Sequence, residues 1–147
     1  MTIGLRVDYR ASLSLVGSVL KYLAVPLCFP LVVALYYGDP VAPFVATIAL
    51  TVVAGVGLER LDPDPEIRPR EGFLMVAATW LAVAIVAAVP YLIEAHGIPM
   101  VTQPINPEST LGNPANALFE AMSGFTTTGA TVLGEISFDA HTRSIML

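Results

Sequence analysis

Residues 113–131, NPANALFEAMSGFTTTGAT, decide how the rest of the chain is interpreted. Asn113 is a residue type that caps helix N-termini, and Pro114 fits the first helical turn, where a missing N–H costs nothing. The residues that follow are good or tolerable helix formers up to Gly124, which together with the serine before it is expected to end the helix. The pattern predicts a short helix over residues 114–124 and an extended threonine- and glycine-rich segment after it.

This short helix suits a membrane protein in a particular way. A helix of this length is about 15 Å long, roughly half of the ~30 Å hydrocarbon core of a bilayer. The C-terminal end of a helix carries partial negative charge and favours a cation, and backbone carbonyls beyond it can replace the water around a dehydrated ion. Gly129 permits dihedral angles that turn successive carbonyls toward one axis. If the rest of the chain is a membrane protein, the pattern predicts a re-entrant pore loop.

The run FEAMSGFTTTGAT, residues 119–131, closely resembles the first pore loop of the Trk/Ktr/HKT superfamily of potassium transporters, in particular the bacterial and archaeal TrkH type. In that family, one chain carries four membrane–pore–membrane repeats, and each repeat contributes a quarter of a central K⁺ filter. The resemblance implies that K⁺ is the transported ion, without an organic cofactor. It implies a filter over residues 126–131, with the ion-binding residues Thr127, Thr128, Gly129, Ala130 and Thr131.

Two further residues of this stretch are predicted to support the filter. Thr126 stands at its edge, and Glu120 lies in the predicted pore helix, where an ionised carboxylate is expensive unless it is paired or hydrogen-bonded. Some plant relatives that prefer Na⁺ have serine at the position of Gly129, so the glycine favours K⁺. Glu135 and Asp139, which follow the filter, are read equally well as acids that concentrate cations at the mouth or as two solvated loop acids.

Composition supports a membrane protein. Hydrophobic residues make up 55% of the chain and charged residues only 13%, with a mean hydropathy of +0.72. The net charge of −5 and the lack of a basic stripe argue against a nucleic-acid partner. Cys28, the single cysteine, excludes a disulfide framework within the chain. No phosphate-binding glycine motif, His/Cys cluster or Ser-His-acid set is found in the sequence, so we expect no enzyme.

Three apolar runs, residues 13–37, 41–58 and 72–93, are each long enough to cross the bilayer. Pro26 and Pro30 are expected to kink the first, and Lys21 can extend to the interface from within it. The predicted architecture is all-α and membrane-integral, with three transmembrane helices, a pore helix and a filter loop. Its parts are an N-terminal helical hairpin (1–58), a polar loop (59–71) and the first membrane–pore–membrane repeat (72–147), which is incomplete.

The basic residues predict the orientation in the cell membrane. Six of the seven flank the start of the first run or follow the second, namely Arg6, Arg10, Lys21, Arg60, Arg68 and Arg70. The positive-inside rule then places the N-terminus and loop 59–71 in the cytoplasm, and the pore loop enters from the external face.

The sequence stops at Leu147, where the second helix of the repeat should begin, so we expect a fragment or truncated product of a four-repeat protein. By resemblance, the complete protein would be a homodimer in the lipid bilayer, regulated by a cytosolic nucleotide-binding ring subunit. The alternative is a small multi-span scaffold or assembly protein in which TTTGAT is a tight external turn. Failure to bind or conduct K⁺, even with the missing repeats supplied, would favour that alternative.

Overall fold

The computed structural model describes residues 9–62, 69–99, 102–104 and 108–133. Within these ranges the secondary structure is helical, apart from an isolated β-bridge between Ile98 and Thr102. The helices are α1 (Tyr9–Leu23), α2 (Cys28–Tyr37), α3 (Ala42–Glu59), α4 (Pro69–His96) and α5 (Pro114–Phe125), with a 3₁₀ turn at Thr110–Gly112. Three stretches are long and apolar enough to cross a membrane: Tyr9–Tyr37, Ala42–Glu59 and Gly72–His96. The prediction of an all-helical chain with three candidate spans is confirmed.

The first span is broken where the sequence predicted only a kink. Residues 24–27 form turns between α1 and α2. Pro26 lies in this break and Pro30 lies in the first turn of α2, where its missing N–H leaves no helical bond unmade. Two prolines four residues apart remove two N–H donors from successive helical turns, so the chain ends one helix and begins another. The carbonyls at the break stay satisfied, since the amide of Cys28 bonds the Val25 carbonyl at 3.0 Å.

Three other boundaries differ from the predicted ones. The polar loop was predicted over residues 59–71, but Glu59 is the last residue of α3 and Pro69 the first of α4. The helix predicted at 72–93 therefore runs from Pro69 to His96, because proline is tolerated at a helix start. It continues through Pro90, since ending a helix inside hydrocarbon would leave more backbone groups unpaired. The short helix predicted at 114–124 extends one residue further, to Phe125.

Helices α1 and α3 cross at two glycines. A Cβ atom on Gly17 would lie 2.6 Å from the Gly55 carbonyl oxygen, and one on Gly55 would lie 2.8 Å from the Gly17 oxygen. Thr47 and Thr51 continue the same face of α3 at four-residue spacing, and both are fully buried. Their hydroxyls donate to carbonyls one turn back in the same helix. Small residues thus bring the two backbones into contact, as is common between membrane helices.

Polar side chains join α1 to the C-terminal end of α3. Lys21 Nζ donates to Glu59 Oε2, and the Ser18 hydroxyl donates to Glu59 Oε1 at 3.0 Å. The Ser14 hydroxyl lies within hydrogen-bonding distance of two carbonyls at the same end, those of Glu59 and Asp62. Lys21 is therefore paired across the contact between α1 and α3, a partner that the sequence did not predict. The N-terminal half of α1 and the C-terminal end of α3 lie at the same end of the protein.

The chain buries small and polar residues and exposes large apolar ones. Ser12, Ser14 and Ser123 are buried. Large apolar side chains on all three candidate spans are exposed, among them Phe29, Val32, Leu35, Val53, Phe73, Leu81 and Ile85. In water such surface would be very unfavourable, whereas hydrocarbon chains solvate it readily. This distribution fits a bilayer as the surrounding medium.

Candidate ion-coordinating site

Helix α5 begins as its sequence predicts. Asn113 has extended backbone dihedrals and its side-chain oxygen accepts from the amide of Ala115 at 2.9 Å, so it is the N-cap. Asn116 donates from its side chain to the Thr110 carbonyl at 2.9 Å, which ties the helix start to the 3₁₀ turn before it. The predicted capping by Asn113 is confirmed.

Helix α5 packs on α4 through two buried alanines. Ala117 and Ala121 are buried against Ala88 of α4, and Tyr91 and Leu92 pack around this cluster. Such small side chains let α5 approach α4 closely. Since these α4 residues belong to the candidate span Gly72–His96, α5 lies beside the span and not beyond its end.

The C-terminal end of α5 forms a hydrogen-bonded cap in which Thr127 is left-handed. The amide of Thr128 donates to the Ser123 carbonyl at 3.0 Å, and the amide of Thr127 donates to the Gly124 carbonyl at 3.1 Å. This is the Schellman pattern, in which the residue after the C-cap takes a positive φ and is usually glycine. Here Thr127 holds that position with φ of 52°, whereas Gly124, the residue that the sequence analysis expected to end the helix, remains helical. A β-branched residue with this φ is strained.

Two threonine hydroxyls on either side of Thr127 hold this conformation. The Thr126 hydroxyl donates to the Met122 carbonyl at 2.8 Å. Since its only hydrogen is used in that bond, the Thr128 hydroxyl is the donor in the 2.7 Å contact between the two side chains. The hydrogen bond between the Thr126 and Thr128 side chains spans Thr127. It explains how the strained residue is held at the start of the predicted filter.

Gly129 is the second left-handed residue of the segment, with φ of 69°. A Cβ atom there would meet nothing within 4 Å, so the dihedral angle and not crowding is the reason for glycine. All of residues 126–131 are exposed. Within the part of the chain that the structure describes, the carbonyl oxygens of Thr127, Thr128 and Gly129 accept no hydrogen bond. No described group therefore competes with a ligand for these three oxygens.

The far end of the segment is tied back to α5 by two side chains. The Ser123 hydroxyl donates to the Ala130 carbonyl at 2.6 Å, and Glu120 Oε2 accepts from the amide of Val132 at 3.0 Å. Thr131, by contrast, bonds locally, since its hydroxyl accepts from the amide of Leu133 at 3.1 Å. The sequence indicates Glu120 as a supporting residue, whereas the role of Ser123 was not predicted from it. The spacing of Glu120 and Ser123 could have indicated this role, because residues three apart on a helix lie on the same face.

A cavity of about 500 Å³ lies between α5 and the three candidate spans. It is lined mainly by apolar residues from the first span around its break, from α3, from α4 and from α5, among them Pro26, Pro30, Pro90 and Phe125, together with Thr47. Glu120 contributes a carboxylate to its wall. The C-terminal turn of α5 therefore faces residues inside all three candidate spans.

Two other predicted features have no structural account. Glu135 and Asp139 lie outside the described residues, as does Arg68 in the polar loop. Within the described ranges, no group of three or more His, Cys, Asp or Glu residues is arranged to hold a metal ion.

Comparison with known proteins gives a consistent set of relatives. Over 142 residues, or 95% of its length, the chain is 30% identical to the Trk system potassium uptake protein TrkH of Vibrio parahaemolyticus. It is 28% identical over 127 residues, 84% of its length, to the TrkH protein of Halomonas elongata. It is also 28% identical over 113 residues, 74% of its length, to the Trk system potassium uptake protein TrkG of Escherichia coli.

The matched part covers 26%, 24% and 20% of these three relatives, so the chain spans about a quarter of the length of the proteins it matches. No protein-family model matches the chain. The similarity nevertheless extends over almost all of it, from the first candidate span through the TTTGAT segment. These matches make the chain a relative of the Trk-type potassium uptake proteins TrkH and TrkG over about a quarter of their length.

Proposed function

We propose that this chain forms part of the ion pathway of a potassium uptake protein in the cell membrane. Residues 126–131 line one quarter of a selectivity filter, and α5 is the re-entrant pore helix that carries it. The observation that supports this most directly lies next to the C-terminal end of a half-length helix. Thr127, Thr128 and Gly129 are exposed there, and no described residue donates a hydrogen bond to their carbonyl oxygens. The relatives described above are named as potassium uptake proteins.

The depth of α5 supports re-entry into the membrane. Its twelve residues extend about 18 Å, too short to cross ~30 Å of hydrocarbon. Its alanine face packs on Ala88 of the third span, and its last turn faces Thr47 and Pro26 of the other two. A helix that stayed in the aqueous phase would not reach residues in the interior of three spans. The TTTGAT segment then begins within the bilayer, where open carbonyls are costly unless an ion or water occupies them.

The hydrogen bonds divide the segment into ion-facing and supporting parts. We assign the carbonyls of Thr127, Thr128 and Gly129 to K⁺ contact, since they have no other partner in the described part of the chain. Ala130 and Thr131 complete the strand. The carbonyl of Ala130 is bonded by a serine hydroxyl, and the hydroxyl of Thr131 by a backbone amide.

Thr126 and Glu120 support the filter, as the sequence predicts. Thr126 bonds the carbonyl of Met122 and the hydroxyl of Thr128. Glu120 accepts from the amide of Val132. A carboxylate in this position satisfies an amide that the extended segment leaves without a helical partner.

The proposal includes an orientation. Arg10 lies at the start of α1 and Arg60 directly follows α3. These two helix ends lie at the same end of the protein, since the Ser14 hydroxyl contacts the Glu59 and Asp62 carbonyls. By the positive-inside rule this end is cytoplasmic, so residues 114–131 enter from the external face.

The remaining parts of the system are proposed from the family. Residues 1–58 form the N-terminal hairpin, and residues 72–147 supply the membrane helix and the pore loop of the first of four membrane–pore–membrane repeats. The complete protein is a homodimer regulated by a cytosolic nucleotide-binding ring subunit. It transports K⁺ and uses no organic cofactor.

The test is ion uptake by the protein expressed at the full length at which its cell makes it, in bacteria that lack their own K⁺ uptake systems. We expect growth at low K⁺ and uptake of K⁺ or Rb⁺ in preference to Na⁺. Gly129→Ser should weaken that preference, because a Cβ at φ of 69° strains the backbone and moves the neighbouring carbonyls. The matched control is Gly57→Ser, at an exposed helical glycine with open space around it.

Two results would overturn the proposal. One is a full-length protein that transports no K⁺ and gains no stability from it, as a scaffold protein would behave. The other is a Gly129→Ser protein whose ion preference equals that of Gly57→Ser.

A further inference from the structure

Ser123 holds the filter segment on both sides of Gly129. Its backbone carbonyl accepts from the amide of Thr128 at 3.0 Å, and its hydroxyl donates to the carbonyl of Ala130 at 2.6 Å. Residues 128–130 thus form a small loop closed on a single residue of α5. Gly129, which has nothing within 4 Å of its Cβ position, has no packing contact there to hold it. Its position is set by these two bonds.

The two hydrogen bonds from Ser123 hold the segment firmly because Ser123 itself is held in place by its helix. The residue is buried, at 6% exposure, in the last turns of a helix whose neighbouring face packs on α4 through Ala117 and Ala121. A hydroxyl held in this way cannot follow the loop outward. The Ala130 carbonyl is therefore anchored to α5, while the Gly129 carbonyl next to it accepts no hydrogen bond from the described residues.

We infer that Ser123 is a positioning residue that sets the ion specificity of the pathway, by fixing the distance between α5 and the Thr128 and Gly129 carbonyls. This inference rests on the proposed function. In the cavity-size account of selectivity, a filter favours a larger ion over a smaller one when its oxygens resist closing around the smaller one. The Ser123 hydroxyl provides that resistance after Gly129, through the Ala130 carbonyl. The helix cap provides it before Gly129, through the Thr128 amide.

The experiment replaces Ser123 in the full-length protein and measures the ratio of apparent affinities for Rb⁺ and Na⁺ in uptake. Ser123→Ala removes the hydroxyl and leaves the backbone bond to Thr128 in place. We expect the Rb⁺ over Na⁺ ratio to fall about two- to tenfold, the range that the net strength of one hydrogen bond supports. The same change should appear in purified protein, as a smaller excess of K⁺ over Na⁺ in thermal stabilisation.

The matched control is Ser18→Ala, which removes a serine hydroxyl bond away from the filter segment, the 3.0 Å contact between α1 and Glu59 of α3. We expect this variant to keep the wild-type ratio. If Ser123→Ala does not fold, Ser123→Cys keeps the side-chain size but has only a weak donor, and it should lower the ratio in the same direction.

The outcomes separate the two ideas. A wild-type protein with neither K⁺ uptake nor K⁺-dependent stabilisation overturns the proposed function and this inference with it. A wild-type protein that selects K⁺, together with Ser123 variants that keep its ratio, overturns the inference alone. So does an equal fall in Ser18→Ala, because it would trace the effect to general loosening of the helices.

Discussion

The crossing of α1 and α3 at Gly17 and Gly55 allows a sharp test of the packing. An alanine Cβ at position 55 would lie 2.8 Å from the Gly17 carbonyl oxygen, 2.8 Å from Lys21 Cγ and 3.1 Å from the Lys21 amide nitrogen. Carbon atoms pack at roughly 3.5 Å, so the distance between this Cβ and Lys21 Cγ is too short by about 0.7 Å. The lysine stem can move aside, but the backbone carbonyl cannot, so the helices must separate.

Gly57 of the same helix supplies the control, since its Cβ position has nothing within 4 Å. Both glycine-to-alanine changes gain the same helix propensity, about 0.5–1 kcal/mol, so their difference isolates the packing. Overpacking of a tight contact typically costs about 1–3 kcal/mol. We therefore expect the Gly55→Ala protein to be less stable than the Gly57→Ala protein by about 1–3 kcal/mol.

The assay is unfolding of the protein in detergent micelles, followed by helix content and by the fluorescence of Trp80 on α4. Gly55→Ala should unfold at lower denaturant than wild type, and Gly57→Ala at the same or higher denaturant. Equal stability of the two variants would refute the reasoning, because it would mean that α1 and α3 do not meet at these glycines.

Three further predictions use the same assay. Asn113→Ala should destabilise α5 by about 1 kcal/mol through loss of its N-cap, and Asn113→Asp, which keeps an acceptor, should not; an equal loss in both would contradict the cap. Lys21→Met should lower the urea concentration at the unfolding midpoint by removing the cationic partner of Glu59, with a smaller deficit at about 1 M salt, where charges are screened within about 3 Å; a salt-independent deficit would mean that the ion pair is not its cause. Glu120→Ala should cost about 2 kcal/mol by leaving the Val132 amide unbonded, whereas Glu120→Gln keeps an acceptor oxygen and should be milder; equal effects would show that the amide bond is unimportant.

The placement of Ser123 explains why part of the candidate site could not be predicted. From the sequence, residues 126–131 stand out because a glycine follows three threonines after a short helix. What holds that segment depends on where the chain turns after Phe125, since the hydroxyl of Ser123 reaches a carbonyl seven residues later. The left-handed conformation of Thr127 could not be predicted either, because local propensity assigns it to glycine. The hydrogen bond between the Thr126 and Thr128 side chains holds Thr127 in it.

The fold also has features that the sequence predicts and features that depend on tertiary contacts. The sequence by itself determined the number of spans, the start of the short helix at Asn113 and the polar connection near residue 60, because span length depends on bilayer thickness and capping on side chains a few residues apart. Only the tertiary structure decided that Gly17 meets Gly55 and that Lys21 pairs with Glu59, 38 residues away in the sequence. Those pairings depend on how two helices are rotated and shifted against each other, and apolar patterns inside a membrane barely encode rotation, because lipid solvates every apolar face almost equally.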